Sequence, residues 1–248
     1  MSGVELALSA TLTPQNYGFD DGANDFVSFL TELRRHHGFD VDWLSQWEEN
    51  GPIFSIWDNQ ASYIDRFRQH NLKRKDSFSI WGDEASDSHL YHFDYNWRNQ
   101  PLHSTDQLSA EIYGPHPKYG TQAELYIGMI DAVTRWKRPQ HLAFGPMVYL
   151  RDHHPLDRSR VGIRWMGWLP FDLQPSDVPE AELVRPMNGG TLVVTQMAFW
   201  QAWEANPAYS REAIERAQDV EIRLNLLGVL PTNIELERGD WGVRPHAQ

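Results

Sequence analysis

The sequence predicts an α+β fold, mainly antiparallel sheet flanked by about four helices, as a single domain spanning residues 1–248. Three observations predict it. Short stretches with two-residue apolar alternation recur along the chain, as half-buried strands require. Helical stretches fall among them irregularly, without the regular strand–helix succession of a parallel sheet. No repeat, low-complexity linker or shift of composition divides the 248 residues, and 41% of them are hydrophobic, enough for one sizeable core.

The first strand signal is Val4-Glu-Leu-Ala-Leu-Ser-Ala-Thr-Leu12, where Val4, Leu6, Leu8, Ala10 and Leu12 share a face. Asn24 or Asp25 is a candidate N-cap for a helix carrying Phe26, Phe29, Leu30 and Leu33 and stopping near Gly38. After a stretch with Trp43, Trp47 and Ile53–Trp57, Asp58 can cap a second helix running to about Leu72, with Ala61, Ile64 and Phe67 inward. Lys73-Arg74-Lys75 then places positive charge at its C-terminal end, where it complements the helix dipole. Segments 77–81, 90–97 and 108–113 read as consecutive strands of an antiparallel meander. Thr121-Gln-Ala-Glu124 has the form of a capping box, and behind it Leu125, Met129, Ala132, Val133 and Trp136 make one stripe. Met147–Arg151, Arg160–Trp168 and Gly190–Thr195 read as later strands, with a turn at Met187-Asn-Gly-Gly190. The last helix has Ser210 as its cap and Ala213, Ala217, Val220, Leu224 and Leu227 at alternating spacings of four and three. Gly228 supplies its C′ position, and Pro231 ends any continuation.

Acidic residues outnumber basic ones by 34 to 22, a formal charge of −12. That balance repels nucleic acid, whose phosphates need Lys and Arg, and it suits a basic protein partner. It also serves solubility. With no cysteine, disulfides and thiolate chemistry are excluded. Met1-Ser-Gly-Val-Glu lacks a basic flank before an apolar segment, and no apolar run approaches the ~20 residues of a membrane span. A cytoplasmic protein with no membrane association is expected.

Motifs for chemistry are missing. His36-His37 and His153-His154 are adjacent pairs, and neighbours in sequence rarely aim at one metal; Asp152-His-His-Pro-Leu-Asp157 reads as a polar turn. There is no His-Glu-x-x-His, no Gly-x-Ser-x-Gly elbow and no phosphate-binding glycine loop. No catalytic residue, metal or cofactor is expected. Asp94 and Glu111 could face one another across strands, the carboxylate pairing of a glycosidase, although any acidic chain offers such pairs.

Binding features are easier to find, because aromatic anchors beside carboxylates suit a basic partner. Asp83, Glu84 and Asp87 form a predicted acidic loop beside Trp81. Trp47, Glu48 and Glu49 repeat the combination, and Asp20 and Asp21 make a third acidic turn. Each cluster also reads as a solvated loop flanked by core tryptophans.

Over nearly its whole length the chain resembles the immunity protein 52 family of bacterial polymorphic toxin systems. The likeness is strongest in Arg164-Trp-Met-Gly-Trp-Leu-Pro170, in Gly189-Gly-Thr-Leu-Val-Val-Thr195, and in Glu221-Ile-Arg-Leu-Asn-Leu-Leu-Gly-Val-Leu-Pro231. Phe54-Ser-Ile-Trp57 and Phe78-Ser-Ile-Trp81 fit less specifically. The resemblance implies an α+β immunity protein encoded beside its toxin. That toxin would be a restriction-endonuclease-like nuclease delivered by type VI secretion and neutralised by stoichiometric binding, with no direct contact to nucleic acid. It carries no binding residue onto this chain. A small hydrolase with an aromatic-lined carboxylate site and a non-catalytic adaptor remain as other readings of the composition.

Overall fold

The alternation at the start of the chain forms the middle of the molecule. In the computed structural model, β1 (Glu5–Leu12) lies between β6 (Asp106–Tyr113) and β7 (Pro139–Pro146), antiparallel to both. The structure describes residues 5–45, 53–70, 76–84, 88–97, 105–113, 122–198, 211–239 and 241–242, without the side chains of residues 5, 45, 83, 84 and 88–90. The remaining strands are β2 (Asp42–Ser45), β3 (Phe54–Ser55), β4 (Ser77–Glu84), β5 (Ser88–Asn96), β8 (Met166–Leu169), β9 (Leu183–Met187) and β10 (Gly190–Val194). Together they make one ten-stranded sheet in the order β3-β2-β4-β5-β6-β1-β7-β8-β10-β9, with every neighbouring pair antiparallel. The α+β class and the meander of β4, β5 and β6 are as the sequence predicts.

Register decides which residues share a face. Leu8 stands opposite Ala110 and Phe144, and Ala110, Phe93 and Ile80 continue the row. Two helices, α1 (Phe19–Leu33) and α3 (Ala123–Trp136), cover this face. Phe26 packs on Phe78 and Tyr95 at 5.6 and 5.9 Å between ring centres, Phe29 on Phe93 at 5.5 Å, and Tyr126 on Phe144 at 4.8 Å. α2 (Gln60–His70) extends the layer through Tyr63, Ile64 and Phe67. The opposite face is covered at the β8–β10–β9 end. There Val220 and Leu224 of α5 (Arg211–Leu226) join Leu169, Val184 and Val193 in a second apolar cluster. The aromatic content is therefore mostly core: Trp43, Trp97, Trp165 and Trp168 are fully buried.

Gly22 shows how tightly α1 is seated. A Cβ there would lie 2.3 Å from the Trp97 indole. Gly22→Ala is expected to lose about 1–3 kcal/mol by overpacking, more than the ~1 kcal/mol that alanine adds as a helix former. Urea denaturation with equal m-values measures the difference.

Several boundaries differ from the sequence reading, each for a physical reason. α1 begins at Phe19, ahead of Asn24 and Asp25, with Gly18 as N-cap and Asp20 and Asp21 in the first turn. Asn24 instead donates from its side chain to the Asp20 carbonyl at 2.7 Å, and Asp25 accepts from the Trp136 indole at 3.0 Å. Met147–Arg151 is not a strand but most of α4 (Met147–Asp152), entered through Pro146. The strand is the preceding segment, β7, whose eight residues are all buried; a strand covered on both faces shows no alternation. Within Arg160–Trp168 only Met166 onward joins the sheet ladder, while Arg160 and Arg164 make single bridges. Thr121 and Ser210 lie outside the described residues. α3 has Gln122 as N-cap, with no side-chain cap bond. A capping box does form one element later than the sequence reading ends the chain's helices, where Thr232 and Glu235 open α6 (Asn233–Glu237). Six helices are present among the described residues where about four were expected.

The Asn188-Gly189 turn joins β9 to β10 with φ values of 47° and 79°, the left-handed pair of a tight hairpin, as the sequence predicts. β9 is an edge strand, and Arg185 and Pro186 blunt it against pairing with another chain. No helix of the described residues is long and apolar enough to cross a membrane.

Candidate functional site

Five adjacent strands, β2, β4, β5, β6 and β1, contain no lysine or arginine. They carry Glu5, Asp42, Asp83, Glu84, Asp94, Asp106 and Glu111. Their helix-covered face is apolar apart from the buried Asp106, which accepts from the Tyr95 hydroxyl. The opposite face is mostly polar or aromatic, with Leu44 and Ala7 as exceptions, and solvent reaches it along β6, which alternates between buried and more accessible positions, while Ala7 and Thr11 of β1 are buried. Ser79, Asp94, Ser109 and Ser9 form one cross-strand row there, and Trp81, His92, Glu111 and Ala7 form the next.

The second row holds a compact cluster. Trp81 stacks on His92 with ring centres 4.0 Å apart and planes 14° apart, and Tyr113 lies 6.0 Å from Trp81 at 27°. His92 stands between two carboxylates, with Nε2 3.5 Å from Asp94 and Nδ1 3.8 Å from Glu111. The Tyr113 hydroxyl donates to Glu111. The side chain of Glu111 is 59% exposed against 17% for His92, so the carboxylate projects outward and the imidazole sits below it. Asp94 and Glu111 do share a face, as the carboxylate-pair reading requires, but an imidazole separates them on a sheet surface. No group of three or more metal-ligating side chains occurs among the described residues.

Only part of the predicted partner surface belongs to this face. Asp83 and Glu84 are residues of β4, not of a loop as the sequence reading has them, and Asp83 pairs in register with Asp42. Strand pairing with β5 extends two residues past Gly82 through an irregularity in register, which carries the chain beyond the expected turn. Asp87, Trp47, Glu48 and Glu49 lie outside the described residues, as do Lys73, Arg74 and Lys75. Asp20 and Asp21, read from the sequence as an acidic turn, occupy the first turn of α1, and Asp20 pairs with Arg68 of α2. That position belongs to the helical layer, on the other side of the sheet. Sequence reasoning weighed Asp94 and Glu111 only as a catalytic pair and missed His92 and Tyr113. Their signal is the polar alternation Ser79-x-Trp81, His92-x-Asp94 and Ser109-x-Glu111-x-Tyr113 on strands lacking any basic side chain.

Two other polar clusters tie elements together. Lys137, at the end of α3, reaches Asp25 at 2.5 Å and donates to the Tyr95 hydroxyl at 2.6 Å, while Tyr95 donates to Asp106 at 3.1 Å. Burial pulls the Lys137 pKa down, and Asp25 offsets part of that. Beneath α5, the fully buried Glu221 accepts from the Arg164 backbone N–H at 2.8 Å, the Tyr149 hydroxyl at 2.9 Å and His154 Nδ1 at 2.9 Å. Gly162 leaves room for it, since a Cβ there would stand 2.0 Å from Glu221 Oε1. The expected polar turn around His154 is thus anchored to the core. Between the end of α1 and α3, cavities of about 340 and 400 Å³ share His36, Glu124 and Gly128; their charged lining mixes Arg35 and Arg185 with Glu124 and Asp131.

No family model matches the chain, and no curated protein matches it. Among solved structures, the Pseudomonas aeruginosa T6SS protein PA0821 is similar at 13% identity, over 95% of this chain and 77% of that one, with a TM-score of 0.48.

Proposed function

We propose that this protein acts by stoichiometric binding of a basic protein, and that it neutralises a nuclease-like secreted toxin encoded by a neighbouring gene. The observation that carries the reading is the accessible face of β4, β5, β6 and β1, where Trp81, His92 and Tyr113 stand among carboxylates and no strand contributes a basic residue. A nuclease that grips DNA presents a basic cleft. An acidic face complements such a cleft and speeds encounter, while aromatic side chains buried on docking set the dissociation rate. The net charge of −12 acts in the same direction at longer range. The toxin as partner comes from the resemblance to the immunity protein 52 family. A durable inhibitor needs a dissociation constant on the order of nanomolar, about −12 kcal/mol, and an interface of about 1,600 Å².

Co-expression with the neighbouring gene product tests this. The two chains are expected to co-purify as a stoichiometric complex, and cells producing the neighbour are expected to survive only when this chain is present. Survival that depends on a different neighbour would remove the proposal.

A further inference from the structure

We infer that the cavity of about 400 Å³ between α3 and β9 is a binding site for a short apolar peptide with both termini free, of dipeptide size. The cavity lies in the helical layer, on the other side of the sheet from the open face, so this ligand is independent of the toxin.

One face of a helix and one face of a strand build the cavity. Glu124, Ile127, Gly128 and Asp131 follow the three- and four-residue spacing that aligns side chains along α3. Leu183, Arg185 and Met187 alternate along β9 and so point the same way. His36 and Met197 complete the lining. Ile127 and Met187 are buried, and Leu183 and Met197 pack against the main core, so the inner surface is aliphatic and thioether. The volume falls in the ~300–1,000 Å³ range of small-ligand sites. Charge then selects the ligand. Asp131 is already engaged: it accepts from Arg135 at 2.6 Å and from Asn188 at 2.9 Å, and it faces His36 at 3.6 Å. Glu124 and Arg185 are not engaged. Both are exposed, and among the described residues neither side chain makes a hydrogen bond or an ion pair. A carboxylate from the helix wall and a guanidinium from the strand wall thus line one apolar cavity without meeting each other. A ligand with an ammonium for Glu124, a carboxylate for Arg185 and an apolar body between them matches the whole lining. In a free amino acid the two charges flank a single carbon, whereas a dipeptide separates them by up to ~7 Å.

The probe is leucyl-leucine, titrated into the full chain carrying methyl-labelled methionine, with the methionine methyl signals followed by NMR. Met187 and Met197 line the cavity, while Met129, Met147 and Met166 do not and serve as internal controls. Met187→Leu and Met197→Leu assign the two reporting signals. Saturable shifts are expected at Met187 and Met197 alone, with a dissociation constant on the order of millimolar. N-acetyl-leucyl-leucine and leucyl-leucine amide each lack one charge and are expected to bind about fivefold or more weakly, as is free leucine. Glu124→Gln is expected to erase the discrimination against the acetylated peptide and keep that against the amide; Arg185→Gln is expected to do the reverse. Both side chains are exposed, so the urea midpoint of either variant is expected to stay at the wild-type value. Absence of saturable shifts at Met187 and Met197, equal affinity for the capped peptides, free leucine binding as tightly as the dipeptide, or discrimination unchanged in both variants would each overturn the inference. Capture of the neighbouring gene product is read separately, and its failure leaves the dipeptide site in place.

Discussion

Glu221→Ala is expected to lower the stability of the protein by about 3–5 kcal/mol, the range for breaking a buried ion pair from one side. The Glu221 side chain has no solvent exposure, and its two oxygens accept from three donors. One donor, the Arg164 N–H, belongs to a residue held at φ 64°, a left-handed backbone that surrounding interactions must maintain. Removing the carboxylate takes one acceptor away from the Tyr149 hydroxyl, from His154 Nδ1 and from this N–H together. Both ring nitrogens of His154 face acceptors, Glu221 on one side and the Arg160 carbonyl at 3.0 Å on the other, the arrangement of a protonated imidazole. Burial opposes that charge, but the Glu221 and Arg160 interactions outweigh it, and the pKa is raised. A raised folded-state value stabilises the native state fully below the unfolded imidazole pKa, about 6.5, and the contribution is lost as pH rises through the folded value. Urea midpoints of the wild type are therefore expected to fall on going to alkaline pH. Glu221→Gln is expected to flatten that slope, since no carboxylate then favours the imidazolium.

Charge reversal on the open face is expected to act on association instead. Asp94→Lys combined with Glu111→Lys should slow binding to the neighbouring gene product by at least about tenfold at low salt, within the range that steering commands. The gap should narrow near 1 M salt, where the Debye length falls to about 3 Å. Stability should change by no more than about 1–2 kcal/mol, because ion pairs open to solvent are worth little and the hydrogen bond that Glu111 accepts from Tyr113 contributes about 1 kcal/mol. Stopped-flow association at several salt concentrations reads the effect. Asp20→Lys with Asp21→Lys, placed in the helical layer and not on the open face, should slow association less. Equal slowing by the two pairs would mean that net charge, and not this face, governs encounter.

The contrast between these sites shows what was legible in the sequence. β1, the Asn188-Gly189 hairpin and the inner stripe of α5 as far as Leu224 were readable because each follows a local period or a local φ requirement; Leu227, the last residue of the predicted stripe, lies past the helix end and is exposed. β7 was not, since a strand buried on both faces has no period to read. Glu221 falls on the buried stripe, four residues after Ala217 and three before Leu224, and only its spacing betrayed that a charge points inward. The open face was hidden for a different reason. Sequence reasoning gathers acids that are adjacent in the chain, as in Asp83, Glu84 and Asp87, whereas a sheet gathers alternate residues from separate strands. Trp81, His92 and Glu111 meet only because β4, β5 and β6 pair in this register.

Hydroxyl-radical footprinting of the complex with the neighbouring gene product tests the location of the interface directly. Aromatic rings react readily, and the exposed apolar residues Ile222, Leu226 and Ile234 of α5 and α6 provide an internal comparison on another surface. Oxidation is expected to drop at Trp81 and Tyr113 on binding while Leu226 and Ile234 keep their free-state rates. Protection of the α5–α6 residues with Trp81 and Tyr113 unchanged would place the partner elsewhere and contradict the assignment.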